Sequence, residues 1–585
     1  MSRGRGSMRP NRLKSTRVSF SNMRIDFVYL LLMLVLAIFI VRLFYIQVIQ
    51  HDQYKQAALS GQLKEYLIQP KRGVIEAYDG DNVVPIVLNE TVYTLFADPI
   101  YIKDITTTAD SLSKITGGKI SDYEEAMKRD TRYAILEKRL NENIKEAIEA
   151  LDIKGVGLRE ESIRTYPQGN LASQLLGFVN DEGAGTYGIE QFLDDQLSGE
   201  PGQLKAITDV NGVPLVSNED NIIKDPVPGE RVRLTLDIGM QMKAESILKK
   251  HLSEVNSKSG SVVIMDPNNG AVKAMANYPT YNPREFSSVS DISVFTNPSV
   301  SEPLEMGSIM KTLTVATALN EGAIKPNQTF YDKARFTIDG ALISNVEGYD
   351  NAQTRSISDI LKYSLNTGAV WVLQQIGGGE INEHARTTLH KYLTEHYFFG
   401  QKTGIEQGYE AEGIVPDPID GFARDLKYAN VAFGQGITVT ALQFASAFSA
   451  TINGGTYYRP HLVDGNKNEF IKNKDVVKPS VSKQLRQLHE NTVKDWYTFI
   501  ERDGYRIGGK TGTAEIADPD GGYREDVFNG TFVGYVGGDK PQYVVIVKVD
   551  EPRVSGHAGF AAAAPLFGKI SDMLIDNFSI SKKSN

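Results

Sequence analysis

The chain has 585 residues, 41% hydrophobic and 23% charged, a globular composition too long for one ordinary core, so two or more domains are expected. A net charge of −9 argues against a nucleic-acid partner. With no cysteine, disulfides, thiolate metal sites and cysteine nucleophiles are excluded.

Basic residues crowd the start: Arg3, Arg5, Arg9, Arg12, Lys14, Arg17 and Arg24, with no acid among the first 24 positions. Residues 27–41 then carry no charge, and after Arg42 the apolar character continues to residue 49. Twenty-three helical residues reach about 34 Å, enough for a hydrocarbon core of about 30 Å. Arg42 lies near the far end, where its side chain can reach the headgroups. A cleaved signal peptide would end in a small-x-small site, whereas Arg42, Leu43, Phe44 and Tyr45 follow residue 41. The expectation is an uncleaved anchor at 25–49 in the cytoplasmic membrane. The basic tail, 1–24, would be cytoplasmic and everything after residue 50 extracytoplasmic.

Residues 50–230 read as a mixed module with short β-type runs such as 92–96, a charged helical stretch at 123–151 and frequent turns, but no catalytic cluster. From residue 231 the character changes. Residues 233–237 look like a strand entering a helix at 238–255. Residues 260–265 and 270–276 form a strand pair about the turn 266–270, and residues 532–536 and 543–549 form another about 537–541. Strands at both ends of the segment with helices between predict an α+β fold, an antiparallel sheet covered by helices.

Three short motifs in this segment can carry chemistry: Ser308-Ile309-Met310-Lys311, Ser364-Leu365-Asn366 and Lys510-Thr511-Gly512-Thr513. None is distinctive alone. Ser-x-x-Lys recurs at Ser111–Lys114, Ser246–Lys249, Ser480–Lys483 and Ser579–Lys582, and Lys-Thr-Gly recurs at 402–404. Ser308 differs in context. An apolar helix follows it to about Gly322, and Lys311 lies one turn on, on the same face. An apolar setting disfavours the ammonium form, and a neutral amine can take the serine proton. Ser364 and Asn366 suit a proton relay and a hold on a substrate amide, and equally a helix cap. Lys510, Thr511 and Thr513 suit a peptide carboxylate, with the Ser308 and Thr513 N–H groups as an oxyanion hole. An exposed lysine on a Gly-rich strand end would read the same way.

The order Ser-x-x-Lys, Ser-x-Asn, Lys-Thr-Gly resembles the penicillin-binding proteins, specifically the class B monofunctional transpeptidases. The likeness continues in Arg72-Gly73-Val74-Ile75 with Asp79-Gly80, Arg164-Thr165-Tyr166-Pro167, Leu176-Gly177-Phe178-Val179 and Gly188-Ile189-Glu190. It is found again in Gly434-Gln435-Gly436, Thr440-Ala441-Leu442-Gln443 and Asn453-Gly454-Gly455. The resemblance implies an elongated mixed α/β pedestal of the dimerisation type at 50–230 and a transpeptidase domain at 231–585. It makes Ser308, Lys311, Ser364, Asn366 and Lys510 catalytic and Thr511, Gly512 and Thr513 substrate-binding, with no metal or cofactor. The substrates are stem peptides, cross-linked through a Ser308 acyl-enzyme with D-Ala-D-Ala carboxypeptidase as a side activity. β-Lactams would trap Ser308.

By the same resemblance, Asn366 points to an FtsI-like division type partnered with an FtsW-like SEDS glycan polymerase and other divisome proteins. A RodA-like partner, an elongation role, a serine β-lactamase or β-lactam sensor and an inactive scaffold remain as alternatives. Lys402-Thr403-Gly404 falls in a structural block. Two features depart from the family pattern. Glu305-Met306-Gly307-Ser308 stands where Glu-Pro-Gly-Ser is usual, and losing the proline at Met306 should loosen the turn before Ser308. Gly556-His557-Ala558-Gly559 differs from the usual Gly-rich block, with His557 expected to face solvent.

Overall fold

The computed structural model describes residues 20–54, 63–207, 222–345, 348–518 and 522–584. Most of the basic tail at 1–24 therefore lies outside the described residues. The chain divides into two compact units, residues 1–69 with 200–227, and residues 70–199 with 228–585.

The first unit holds helix α1 (Phe20–Phe44), continued by a π-helical turn, Tyr45–Ile49. Within it, Ile25–Ile49 is, among the described residues, the one helix long and apolar enough to cross a membrane. Every residue from Ile25 to Phe44 is exposed, so none of the described residues covers this surface. The unit also holds a three-stranded antiparallel sheet of Leu63–Ile68, Gly202–Ile207 and Ile222–Lys224, with Gly202–Ile207 central.

The second unit begins with a five-stranded sheet. The long strand Asn82–Ala97 pairs antiparallel with Ile75–Asp79, Ala134–Leu140 and Val156–Thr165. Val232–Asp237 joins it in parallel beside Ile75–Asp79, so the strand after the expected boundary at 230 is hydrogen-bonded into the pedestal sheet. The helical stretch expected at 123–151 is not continuous. It resolves into helix Ile120–Met127, strand Ala134–Leu140 and helix Glu142–Glu149. Its high charge masked the alternation by which Ala134 and Leu140 enter the core with Tyr93, Leu95, Leu112 and Tyr123.

Three sequence blocks of this region meet in one buried ion cluster. Glu190 is fully buried and accepts from Arg72 Nε at 2.6 Å and Arg164 Nε at 2.7 Å. Arg72 also pairs with Asp194 at 2.7 Å, and Asn89 Oδ1 accepts from Arg164 at 3.0 Å. Two buried guanidinium groups thus share one carboxylate, which fixes how strand ends and loops far apart in sequence pack together.

The rest of the unit is built on a five-stranded antiparallel sheet. In chain order the strands are β1 (Gly260–Met265), β2 (Val272–Tyr278), β3 (Arg506–Ala517), β4 (Tyr523–Gly537) and β5 (Pro541–Val549). Their spatial order is β2-β1-β5-β4-β3, so strands from both ends of the segment join and β3 is an edge. Both expected strand pairs are present, β1 with β2 and β4 with β5. Alternate residues serve two cores. Val262, Ile264, Val545 and Val547 face helices α2 (Ile238–Glu254) and α7 (Ala564–Asn577). Val263, Met265, Val544 and Ile546 face the helical layer of α3 (Lys311–Glu321), α4 (Asn366–Ile376), α5 (Ala441–Ile452) and α6 (Pro479–Trp496). All twelve residues of α5 are buried, as expected for a helix apolar on every side. Among the described residues, 63–584 form no further helix long and apolar enough for a membrane.

Candidate active site

Ser308 does not lie on the α-helix itself but in a 3-10 turn, Gly307–Met310, and Lys311 opens α3. In a 3-10 turn residues i and i+3 eclipse, which brings the two side chains closer than an α-turn would. Lys311 Nζ lies 2.8 Å from Ser308 Oγ. The loss of proline does not leave this turn free. Met306 is buried, its carbonyl accepts from Thr531 Oγ1 at 3.2 Å, and Gly307 N–H donates to Gly434 O at 3.2 Å. Gly307 adopts φ +58°, and a Cβ there would meet Thr513 O at 2.4 Å. A Cβ on Gly434, φ +96°, would meet Gly307 O at 2.0 Å. Only glycine fits either position.

The second motif closes over the same lysine. Helix Ile357–Lys362, which opens with a Ser356/Asp359 capping box, ends just before it. Ser364 sits in the left-handed region at φ +59°, a strained conformation for a residue with a Cβ. Lys311 Nζ lies 2.6 Å from Ser364 O, 3.2 Å from Ser364 Oγ and 2.7 Å from Asn366 Oδ1. The Asn366 amide is oriented by its Nδ2, which donates to Ser344 O at 3.1 Å.

The third motif lies on edge strand β3. Lys510 Nζ donates to Ser364 Oγ at 3.0 Å and to Thr511 O at 2.9 Å. The three motifs therefore converge, with Ser364 Oγ between the two lysines. Thr511 Oγ1 already bonds Tyr497 OH at 2.6 Å, and Thr513 Oγ1 accepts from Gly559 N–H at 3.1 Å. The missing side chain of Gly512 faces protein: a Cβ would meet Thr531 Oγ1 at 2.3 Å and Met306 O at 2.5 Å. Gly512 thus lets the Ser308 turn dock on β3, and only its backbone is free for a ligand.

The electrostatics follow from burial. Lys311 is 0% exposed, and desolvation, reinforced by the Lys510 charge, holds its pKa well below the usual lysine range. Burial pushes Lys510 down to about 7. As a neutral amine, Lys311 has two N–H donors and one lone pair. The N–H groups match Ser364 O and Asn366 Oδ1, which only accept, leaving the lone pair for the Ser308 hydroxyl proton.

The remaining copies of these motifs are surface features. Lys114, Lys249, Lys483 and Lys582 are exposed, and Lys114 pairs with Asp110 at 2.6 Å. Lys402 is exposed, and Thr403 N–H donates to Glu410 at 2.6 Å. His557 is exposed, as expected. Sequence reading missed Tyr497, Ser344 and the docking role of Gly434 and Gly559. The two glycines stand in blocks already marked by resemblance, whereas no local signal marks Tyr497 or Ser344. Among the described residues no group of three or more His, Asp or Glu side chains could hold a metal ion.

Residues 260–572 match the family model described as the penicillin binding protein transpeptidase domain, and residues 67–234 match the penicillin-binding protein dimerisation domain. The chain belongs to the penicillin-binding protein transpeptidase family. The two domains in this order make it a class B penicillin-binding protein, a serine-type D,D-transpeptidase of peptidoglycan. Its relatives include stage V sporulation protein D of Bacillus subtilis, 32% identical over 96% of this chain and 87% of the relative. The peptidoglycan D,D-transpeptidase FtsI of Escherichia coli K12 is 26% identical over 94% of this chain and 91% of its own. The fold matches penicillin binding protein 2X of Streptococcus thermophilus with TM-score 0.71 at 22% identity, over 89% of this chain and 83% of that one. The α+β class and the antiparallel sheet covered by helices are those read from the sequence. The penicillin-binding protein also carries one N-terminal apolar helix, consistent with a single-pass anchor.

Proposed function

We propose that Ser308 is the acylated nucleophile of this transpeptidase and Lys311 its general base. The carrying observation is a fully buried lysine, 2.8 Å from Ser308 Oγ, whose other close partners are neutral oxygens. Ser308 Oγ attacks the carbonyl of the penultimate D-Ala and its proton passes to Lys311. The oxyanion is held by the backbone N–H groups of Ser308 and Thr513. As the C–N bond breaks, the departing D-Ala amine takes a proton delivered through Ser364, which lies within hydrogen-bonding reach of both lysines. An amine of a second stem then attacks the ester, closing the cross-link, and Ser308 regains its proton. Lys510 and Thr513 hold the donor's terminal carboxylate, with Thr511 supporting them through its bond to Tyr497, and Asn366 holds the acyl side-chain amide. β-Lactams enter as donors and leave Ser308 acylated. The test is labelling with a fluorescent penicillin. Wild type takes it up covalently, and uptake by Ser308→Ala would overturn the assignment.

The chain works as a single-pass protein with its N-terminus in the cytoplasm and residues 50–585 outside, the pedestal spanning 50–230 and the transpeptidase domain 231–585. Basic residues before the apolar helix support that orientation. Its partner is a SEDS-type glycan polymerase, and its place is septal wall synthesis, a reading supported by the FtsI relative. The higher identity to stage V sporulation protein D favours a second reading, a transpeptidase reserved for a spore wall. A tagged copy followed through growth separates them: a signal at every division septum supports the first, and one confined to sporulating cells the second.

A further inference from the structure

The face beside Ser364–Asn366 carries groups that acyl transfer leaves unused. Tyr363, directly before Ser364, stacks on Tyr349 with centroids 4.9 Å apart. Trp496, the last residue of α6, meets them edge-on at 5.5 and 6.3 Å and is 37% exposed. The Arg355 guanidinium lies 5.4 Å from the Tyr363 centroid and 5.8 Å from that of Tyr349. Arg355 is only 8% exposed, its Nε is buried without a hydrogen-bond partner, and among the described residues no carboxylate pairs with it. Lys362 Nζ lies 5.1 Å from the Tyr363 ring centroid and 3.1 Å from Asp495. Among the described residues, Lys362 thus has a carboxylate partner and Arg355 has none.

A buried guanidinium without a counter-anion is costly, and attraction to two rings offsets only part of that cost. The position is tied to the catalytic cleft. Tyr349 O accepts from Asn345 Nδ2 at 3.2 Å, and Asn345 Oδ1 accepts from Thr367 N–H at 3.1 Å and Thr367 Oγ1 at 2.9 Å. The neighbouring Ser344 O accepts from Asn366, so the segment leading to Tyr349 is bonded to Asn366 and to Thr367 after it.

We propose that Arg355, the stacked Tyr349–Tyr363 pair and the exposed edge of Trp496 form a subsite for a carboxylate of the stem peptide. This carboxylate is distinct from the terminal one assigned to Lys510 and Thr513. The guanidinium takes the anion, and the rings take the aliphatic chain beside it. The site is open to an anion because, among the described residues, no carboxylate pairs with Arg355, and it selects stems with a free carboxylate over amidated ones. The proposal rests on the transpeptidase reading above.

The test uses the full-length protein and synthetic D-Ala-D-Ala stem peptides whose upstream carboxylate is free or amidated. The readout is the ratio of their transpeptidation rates. The wild-type ratio should favour the free carboxylate about tenfold, the scale of one charge-assisted hydrogen bond, and Arg355→Gln should bring it to about one. Arg355→Lys, which keeps the charge without the planar fork, should fall between. Amidating the donor alone and then the acceptor alone identifies which stem occupies the site. Fluorescent penicillin labelling in parallel reports whether the Ser308 centre is assembled. If Arg355→Gln does not label, Trp496→Ala at the exposed edge takes its place, with KM for the free peptide expected to rise severalfold. A wild-type ratio of one, or a variant that labels yet keeps the wild-type ratio or KM, overturns the subsite. A wild type that is not labelled overturns the transpeptidase reading instead.

Discussion

In the pedestal, Arg72 and Arg164 converge on Glu190. At the proposed catalytic centre, Lys311 and Lys510 converge on Ser364 Oγ. Both places bury two basic side chains. The pedestal supplies a fully buried carboxylate, which clamps both guanidinium groups. The proposed catalytic centre supplies hydroxyl, carbonyl and amide oxygens, so burial acts on the lysines with nothing to oppose it and drives both towards the neutral amine. Residue choice matches. Arginine keeps its charge and offers a fork to a carboxylate, whereas lysine can give up its proton.

The contrast breaks most sharply if Lys311 is made permanently charged. Lys311→Arg removes the lone pair, so penicillin acylation should fall by about 10³-fold or more, the scale of a lost general base, as read by stopped-flow labelling. Wild-type rates in that variant would mean that neutral Lys311 is not the base. The pedestal should respond in stability instead of chemistry. Glu190→Gln leaves two buried guanidinium groups without their shared carboxylate, and about 3–5 kcal/mol of stability should be lost. Penicillin labelling below the lowered melting temperature would show that the catalytic centre still forms.

The pH dependence sharpens the comparison further. Folded Lys510 releases its proton near 7, whereas the unfolded chain holds it to about 10.5. Between those values the unfolded state binds more protons, so this lysine's contribution makes stability rise with pH through that window and leaves it flat below. Wild type should gain melting temperature over Lys510→Met between pH 7 and 10, and a constant difference would contradict the depressed pKa. The smallest effect belongs to the second Lys-Thr-Gly run. Lys402→Ala alters an exposed side chain and should leave labelling and melting temperature unchanged.

The strand pairs about 266–270 and 537–541 were readable because turn residues sit between apolar runs, and so was the helix after Ser308. Strand Ala134–Leu140 was not, because its charged edge residues imitate a helix and only pairing with Asn82–Ala97 makes it a strand. The motif residues were readable in kind and order, and the converging arrangement of Lys311, Ser364 and Lys510 could only be presumed. Tyr497, Ser344 and Arg355 carry no local mark, since each matters through a partner distant in the chain.

By itself the sequence determined the apolar N-terminal helix, the α+β class and the three ordered motifs, because periodicity, composition and spacing are local properties. The tertiary structure decided which copies of Ser-x-x-Lys and Lys-Thr-Gly are buried, that Ser308 sits on a 3-10 turn, that Gly512 serves docking, and that among the described residues no carboxylate pairs with the Arg355 guanidinium. Burial and charge pairing depend on what the rest of the chain brings alongside, and that exists only once the chain is folded.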